Sequence, residues 1–170
     1  MRTTFNNLKG DEEAYKKAIR NLESVTRDME FYMKFGDQSD KSDFIEELPN
    51  HCGTIDEVIE ACEQFQSLGP FSEYGLCFDY VHSKTFNDQE EGYFRYQFSW
   101  GGPSTELRLY KDWAEFVYMD WFSGIGFDVS TEDWVEWIKD YMTDIGMLDW
   151  DMAQEQEETY GYDSEDVDEN

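Results

Sequence analysis

The sequence predicts a single α+β domain over residues 1–148, with an acidic tail at 149–170. Its sheet is antiparallel, with about four strands within roughly 75–121, and three helices flank it at roughly 11–34, 54–67 and 131–145. Three observations carry this expectation. Four aromatic-rich segments alternate with the period of two that strands show, and the short loops between them suit antiparallel neighbours. Three other segments repeat apolar residues at helical spacing between capping signals. The chain also holds 13 Phe, 11 Tyr and 6 Trp, a core that acidic disordered chains lack.

Taken in order, Tyr15, Ala18, Leu22, Val25, Met29 and Tyr32 recur at alternating steps of three and four, a narrow helical seam. The seam reads as a helix laid on the core, with a homodimer or partner contact as the alternative. Gly36 ends the helix, and Asp37 to Pro49 reads as a polar connection with a helical turn at Asp43–Leu48. Thr54-Ile55-Asp56-Glu57 is a capping box that opens the next helix, in which the Thr side chain accepts from the Glu57 amide and Glu57 reaches back. Ile55, Val58, Ile59, Cys62 and Phe65 form its apolar face, and Gly69-Pro70 stops it.

Gly75–His82, Tyr93–Trp100, Glu106–Tyr110 and Glu115–Trp121 are the predicted strands of a meander, with a turn at Asn87–Gly92. Ser123-Gly124-Ile125-Gly126 reads as a break in the sheet. Ser130 or Thr131 is the expected cap of the third helix, Trp134, Trp137, Ile138, Tyr141 and Ile145 its apolar stripe, and Gly146 its C-terminal cap. From Asp149 to Asn170 there are ten acids and no bases, and this stretch reads as a mobile tail.

The charge is regional. The first 41 residues hold eight Lys/Arg and eight Asp/Glu, whereas the remaining 129 hold five and 32, which accounts for the whole net charge of −27. Self-repulsion of this size opposes compaction, and the fold does not require it. A basic patch able to neutralise phosphates is missing beyond residue 41, so direct nucleic-acid binding is not expected. Anionic membrane surfaces would repel the chain, and it has no apolar run long enough for a span. An N-terminus without an apolar signal segment and an odd count of three cysteines point to the cytoplasm. Salt adaptation explains the neutral N-terminal quarter poorly, because it acts on the whole surface.

Few residues fit a catalytic or metal-binding pattern. His51, Cys52, Cys62, Cys77 and His82 match no zinc spacing, and the tail acids lack the calcium-loop pattern, so no cofactor is expected. No nucleophile elbow, zinc-protease or phosphate-loop motif occurs, and a non-enzymatic role is expected. The specific signal is Glu132, Glu136, Asp140 and Asp144, four carboxylates at steps of four on the third predicted helix. Such a row has a spacing of about 6 Å. Each like-charged pair costs about 0.2–0.5 kcal/mol, and only Lys139 relieves it. Asp56, Glu60 and Glu63 form a shorter row on the second helix. Carboxylates on rigid helices offer Arg and Lys the charge-assisted bonds that DNA phosphates offer.

In size, charge and these two rows the chain resembles the small acidic inhibitors that phages and mobile elements direct against bacterial defence nucleases. These are anti-restriction and anti-CRISPR proteins that act as DNA mimics. The block Tyr96-Gln97-Phe98-Ser99-Trp100-Gly101-Gly102-Pro103-Ser104, with Tyr118-Met119-Asp120-Trp121-Phe122, also resembles small phage and plasmid proteins of no assigned function. The resemblance implies a phage protein in the host bacterial cytoplasm. There it would occupy the nucleic-acid channel of a CRISPR effector or restriction enzyme, its partner being that basic surface. The alternative is an acidic binding module for a basic host protein such as a histone-like protein or transcription factor.

Overall fold

The computed structural model describes residues 2–8, 11–37, 41–86, 89–121 and 123–165, with 160–165 by backbone only. The chain runs β1 (Thr3–Asn6), α1 (Glu12–Phe35), α2 (Lys41–His51), α3 (Ile55–Leu68), β2 (Cys77–Val81), β3 (Tyr93–Ser99), β4 (Ser104–Leu109), β5 (Ala114–Asp120), β6 (Ser123–Asp128), α4 (Asp133–Asp144) and α5 (Trp150–Glu165). A short 3₁₀ turn at Phe71–Glu73 precedes β2. The mixed class is as expected, but the sheet has six antiparallel strands, not four, in the order β1-β6-β5-β4-β3-β2. The described residues form five α-helices, not three.

The predicted meander is present as β2 to β5, and the two added strands lie beside it. Gly124 and Gly126 do not break the sheet: they lie within β6, where Gly124 pairs with Met119 and Gly126 with Val117. Their missing side chains leave bare backbone on one face. A Cβ on Gly126 would lie 2.8 Å from both Glu115 Oε2 and Phe5 Cδ1. Glycine here therefore admits β1, which pairs antiparallel with β6 and is too short for its own periodicity to show. The expected turn at Asn87–Gly92 lies partly outside the described residues.

Apolar residues from all five helices gather in one cluster with alternate strand residues, among them Phe94, Tyr96, Leu107, Leu109, Phe116, Tyr118, Ile125 and Phe127. The seam on α1 faces this core: Ala18, Leu22, Val25, Met29 and Tyr32 are buried, and Tyr15, partly exposed, meets Phe127 edge-on at 6.2 Å. Helix α3 follows the predicted capping box, with Thr54 Oγ1 accepting from the Glu57 amide at 3.3 Å and Glu57 accepting from the Thr54 amide at 3.0 Å. Its apolar face is less buried than its sequence implies, because Ile55 and Ile59 stay exposed and only Ala61 is fully covered.

Helix α4 starts later than expected. Glu132 is its N-cap and makes no side-chain capping bond. Ser130 is engaged elsewhere: its hydroxyl donates to Asp128 at 2.6 Å and accepts from the Ala114 amide at 3.0 Å, tying the ends of β5 and β6 together. At the other end Gly146 has φ 73°, and the amides of Gly146 and Met147 return to Thr143 and Met142, the left-handed cap that glycine provides.

The acidic tail is helical as far as Glu165. Three of the described side chains of α5 contact the rest of the fold. Trp150 meets Phe94 edge-on at 5.0 Å, Ala153 is buried, and Glu157 accepts from the Ser83 amide (2.6 Å), the Ser83 hydroxyl (2.8 Å) and the Tyr80 hydroxyl (2.9 Å). Burial opposes the Glu157 charge, but these donors together outweigh it and hold its pKa below the ordinary 4.5. A carboxylate with a lowered folded pKa stabilises above its unfolded value and ceases to do so as pH falls through the folded one. Docking of α5 is therefore expected to be intact above about pH 5 and lost progressively in more acid solution. Amide hydrogen exchange across 150–165 at stepped pH measures this. Glu157→Gln should raise exchange in α5 already at neutral pH, and unchanged protection would mean that Trp150 and Ala153 suffice.

Candidate partner-binding surface

The seven carboxylates singled out in the sequence are all exposed. On α4, Glu136, Asp140 and Asp144 share the outward side at steps of four, while Glu132 sits just before the first turn as N-cap. The row runs into the C-terminal end of the helix dipole, where no basic residue offsets it. Stability therefore does not account for it. Lys139 reaches Glu136 at 3.4 Å, and among the described residues none of the other six forms an ion pair.

Asp56, Glu60 and Glu63 project from α3, with Asp56 in the favourable first turn. The two rows do not merge. A groove between α1 and the start of α4 is lined by Glu23, Arg27, Glu30, Asp128 and Glu132. A second groove, between α1 and α3, is lined by Arg27, Glu30, Lys34, Glu57 and Glu60. The outer ridge of α1 thus separates the rows, and Arg27 borders both grooves. Helix α5 contributes a third row, Asp151, Glu155 and Glu158, all exposed. The sequence conceals it because nothing apolar marks the tail as a helix.

The alternate face of the sheet, away from the helices, holds a charged network absent from the sequence reading. Asp79, Arg95, Arg108, Glu115 and Asp128 stand opposite one another on successive strands. Arg95 grips Asp79 with two bonds, Nε–Oδ1 at 2.9 Å and Nη2–Oδ2 at 2.6 Å. Arg108 donates to Glu106 at 2.6 Å and to Glu115 at 3.3 Å, and lies over the Tyr93 ring at 5.0 Å. Glu106 and Glu115 are each only 3% exposed, which is rare for carboxylates unless paired. The Tyr110 hydroxyl also donates to Glu115, at 3.3 Å, and Thr4 from β1 does so at 2.6 Å. Desolvation works against the Arg108 charge, but the attraction of Glu106 and Glu115 exceeds it and raises the guanidinium pKa above its usual value.

This network is closed. Both Glu115 oxygens accept bonds, and the arginine is shared between two acids. A site poised for proton transfer or nucleophilic attack needs a group free to engage substrate, and these groups are engaged with one another. The signal for it in the sequence was charge alternating with aromatic residues inside strands, which a one-sided sheet would place in water. Among the described residues no group of three His, Cys, Asp or Glu side chains is arranged to hold a metal ion. The thiols are free, with Cys52 in the α2–α3 connection, Cys62 on α3 and Cys77 on β2.

No helix is long and apolar enough to cross a membrane among the described residues. No protein-family model, curated protein or solved structure matches this chain.

Proposed function

We propose that this protein is a non-enzymatic inhibitor that presents helix-borne carboxylates to a basic nucleic-acid-binding surface, in place of phosphates. The single observation behind this reading is the division of charge. Arg95 and Arg108, two of the five cations beyond residue 41, are taken up by acids of the sheet, while the acid rows on α3, α4 and α5 face water. Rigid rows need no ordering on binding, and a net charge of −27 speeds encounter with a basic groove. The separation of the rows by α1 fits a target with distinct basic patches.

The test is capture of a CRISPR effector or restriction complex by the tagged protein at about 100 mM salt, with release at about 500 mM. Competing DNA is expected to displace the complex. Glu136→Lys/Asp140→Lys should weaken binding about tenfold at the lower salt without changing the melting temperature, since two attractive contacts become repulsive. Affinity unchanged in a folded double variant would remove the α4 row from the interface. Capture of a basic host protein indifferent to DNA would favour the binding-module alternative.

A further inference from the structure

The β3–β4 and β5–β6 turns lie side by side at one end of the sheet, since Ser104 of β4 pairs with Met119 of β5 just inside both. Each carries an almost bare tryptophan: Trp100 is 76% exposed and Trp121 84%. Trp is seldom left in water to this degree. Trp121 also has φ 54°, a left-handed conformation that bulky residues rarely adopt and that glycine or asparagine supplies in two-residue hairpins. Asp120 pairs with Ser123 across this turn, so Trp121 occupies a position where a strain-free residue would do. Its indole lies over Gly102, where a Cβ would come within 3.2 Å of Nε1. Exposure and strain together are unfavourable for the free protein, which is the pattern of a site completed by a ligand.

We infer that Trp100 and Trp121 form a stacking site for arginine side chains of a basic protein partner. This rests on the reading of the acid rows for the partner's charge. Guanidinium planes stack on indole faces, and Trp is the best aromatic acceptor of a cation. Asp120, half-buried, directly precedes Trp121, and the net charge of −27 favours a cationic occupant. A second copy is a poorer occupant because each carries −27, and an anionic lipid surface is repelled for the same reason.

Indole N–H resonances of the full-length, isotope-labelled protein test this, with Trp100→Phe and Trp121→Phe assigning the two signals. Hexa-arginine is expected to shift both in physiological salt. Hexa-lysine, with equal charge and no plane, should shift them far less. Trp100→Ala/Trp121→Ala should weaken hexa-arginine binding about tenfold and hexa-lysine binding far less. Equal responses to both peptides would overturn the inference, as would no response. Shifts on changing protein concentration alone would assign the site to a second copy, and shifts with phosphatidylcholine vesicles but not peptide would assign it to lipid. Glu136→Lys/Asp140→Lys, measured in parallel, separates the two readings. Loss of peptide affinity there with silent indoles rejects the stacking site alone, while Arg-selective indole shifts with affinity unchanged in that variant reject the α4 row alone.

Discussion

Arg108→Met is expected to destabilise the domain by about 3–5 kcal/mol, the usual cost of removing one partner from a buried ion pair. The side chain fits a similar volume, so loss of packing is a minor part. What remains is two carboxylates, each 3% exposed, with no cation between them. Denaturant unfolding measures the change. The compensated variant Glu106→Leu/Arg108→Met/Glu115→Gln should recover most of the loss, because it removes the buried charge while the Gln oxygen accepts from one of the Thr4 and Tyr110 hydroxyls and its amide donates to the other. A loss below about 1 kcal/mol in the single variant would mean that the two acids reach water or bind protons.

Gly126→Val is expected to cost roughly 2–5 kcal/mol, from overpacking together with a stranded carboxylate oxygen. The new side chain would overlap Thr4 Oγ1 and press on Phe5 Cδ1 and Glu115 Oε2 at 2.8 Å. Strand β1 would have to lift from β6, and Glu115 would lose the 2.6 Å bond from Thr4. Loss of protection in the amides of β1, with β3 and β4 still protected, would be the local signature in hydrogen exchange. Because both substitutions act through Glu115, their combination should cost less than the sum. Full additivity would show that β1 and Arg108 support the sheet face independently.

These two effects turn on residues that local sequence patterns do not single out. Elements that announce themselves by periodicity and caps were legible: the α1 seam, the Thr54 capping box, the four meander strands and the left-handed Gly146. The carboxylate rows were legible too, since a step of four on a helix with a strong apolar stripe leaves them only the outward side. The expected cap of α4 is Ser130 or Thr131 and the observed one is Glu132, since Ser130 bonds instead to Asp128 and Ala114. Strand β6 reads as a break because glycine lacks strand preference, and the reason for Gly126, the Thr4 and Phe5 side chains of the paired strand β1 that lie against it, is more than a hundred residues away in the chain.

By itself, then, the sequence determined the α+β class, the meander and its flanking helices, and the regional acidity with its two predicted rows. Periodicity, capping and net charge are local or additive quantities that need no partner in the fold. Tertiary structure alone decided the outer strands, the docking of α5, the separation of the acid rows by α1, and which charges are buried. Those outcomes depend on pairs such as Thr4 with Glu115, 111 residues apart, and Tyr80 with Glu157, 77 apart. Whether a carboxylate at an alternating strand position meets water or an arginine is a property of the assembled sheet, because only closure of the chain brings the compensating donors within hydrogen-bond reach.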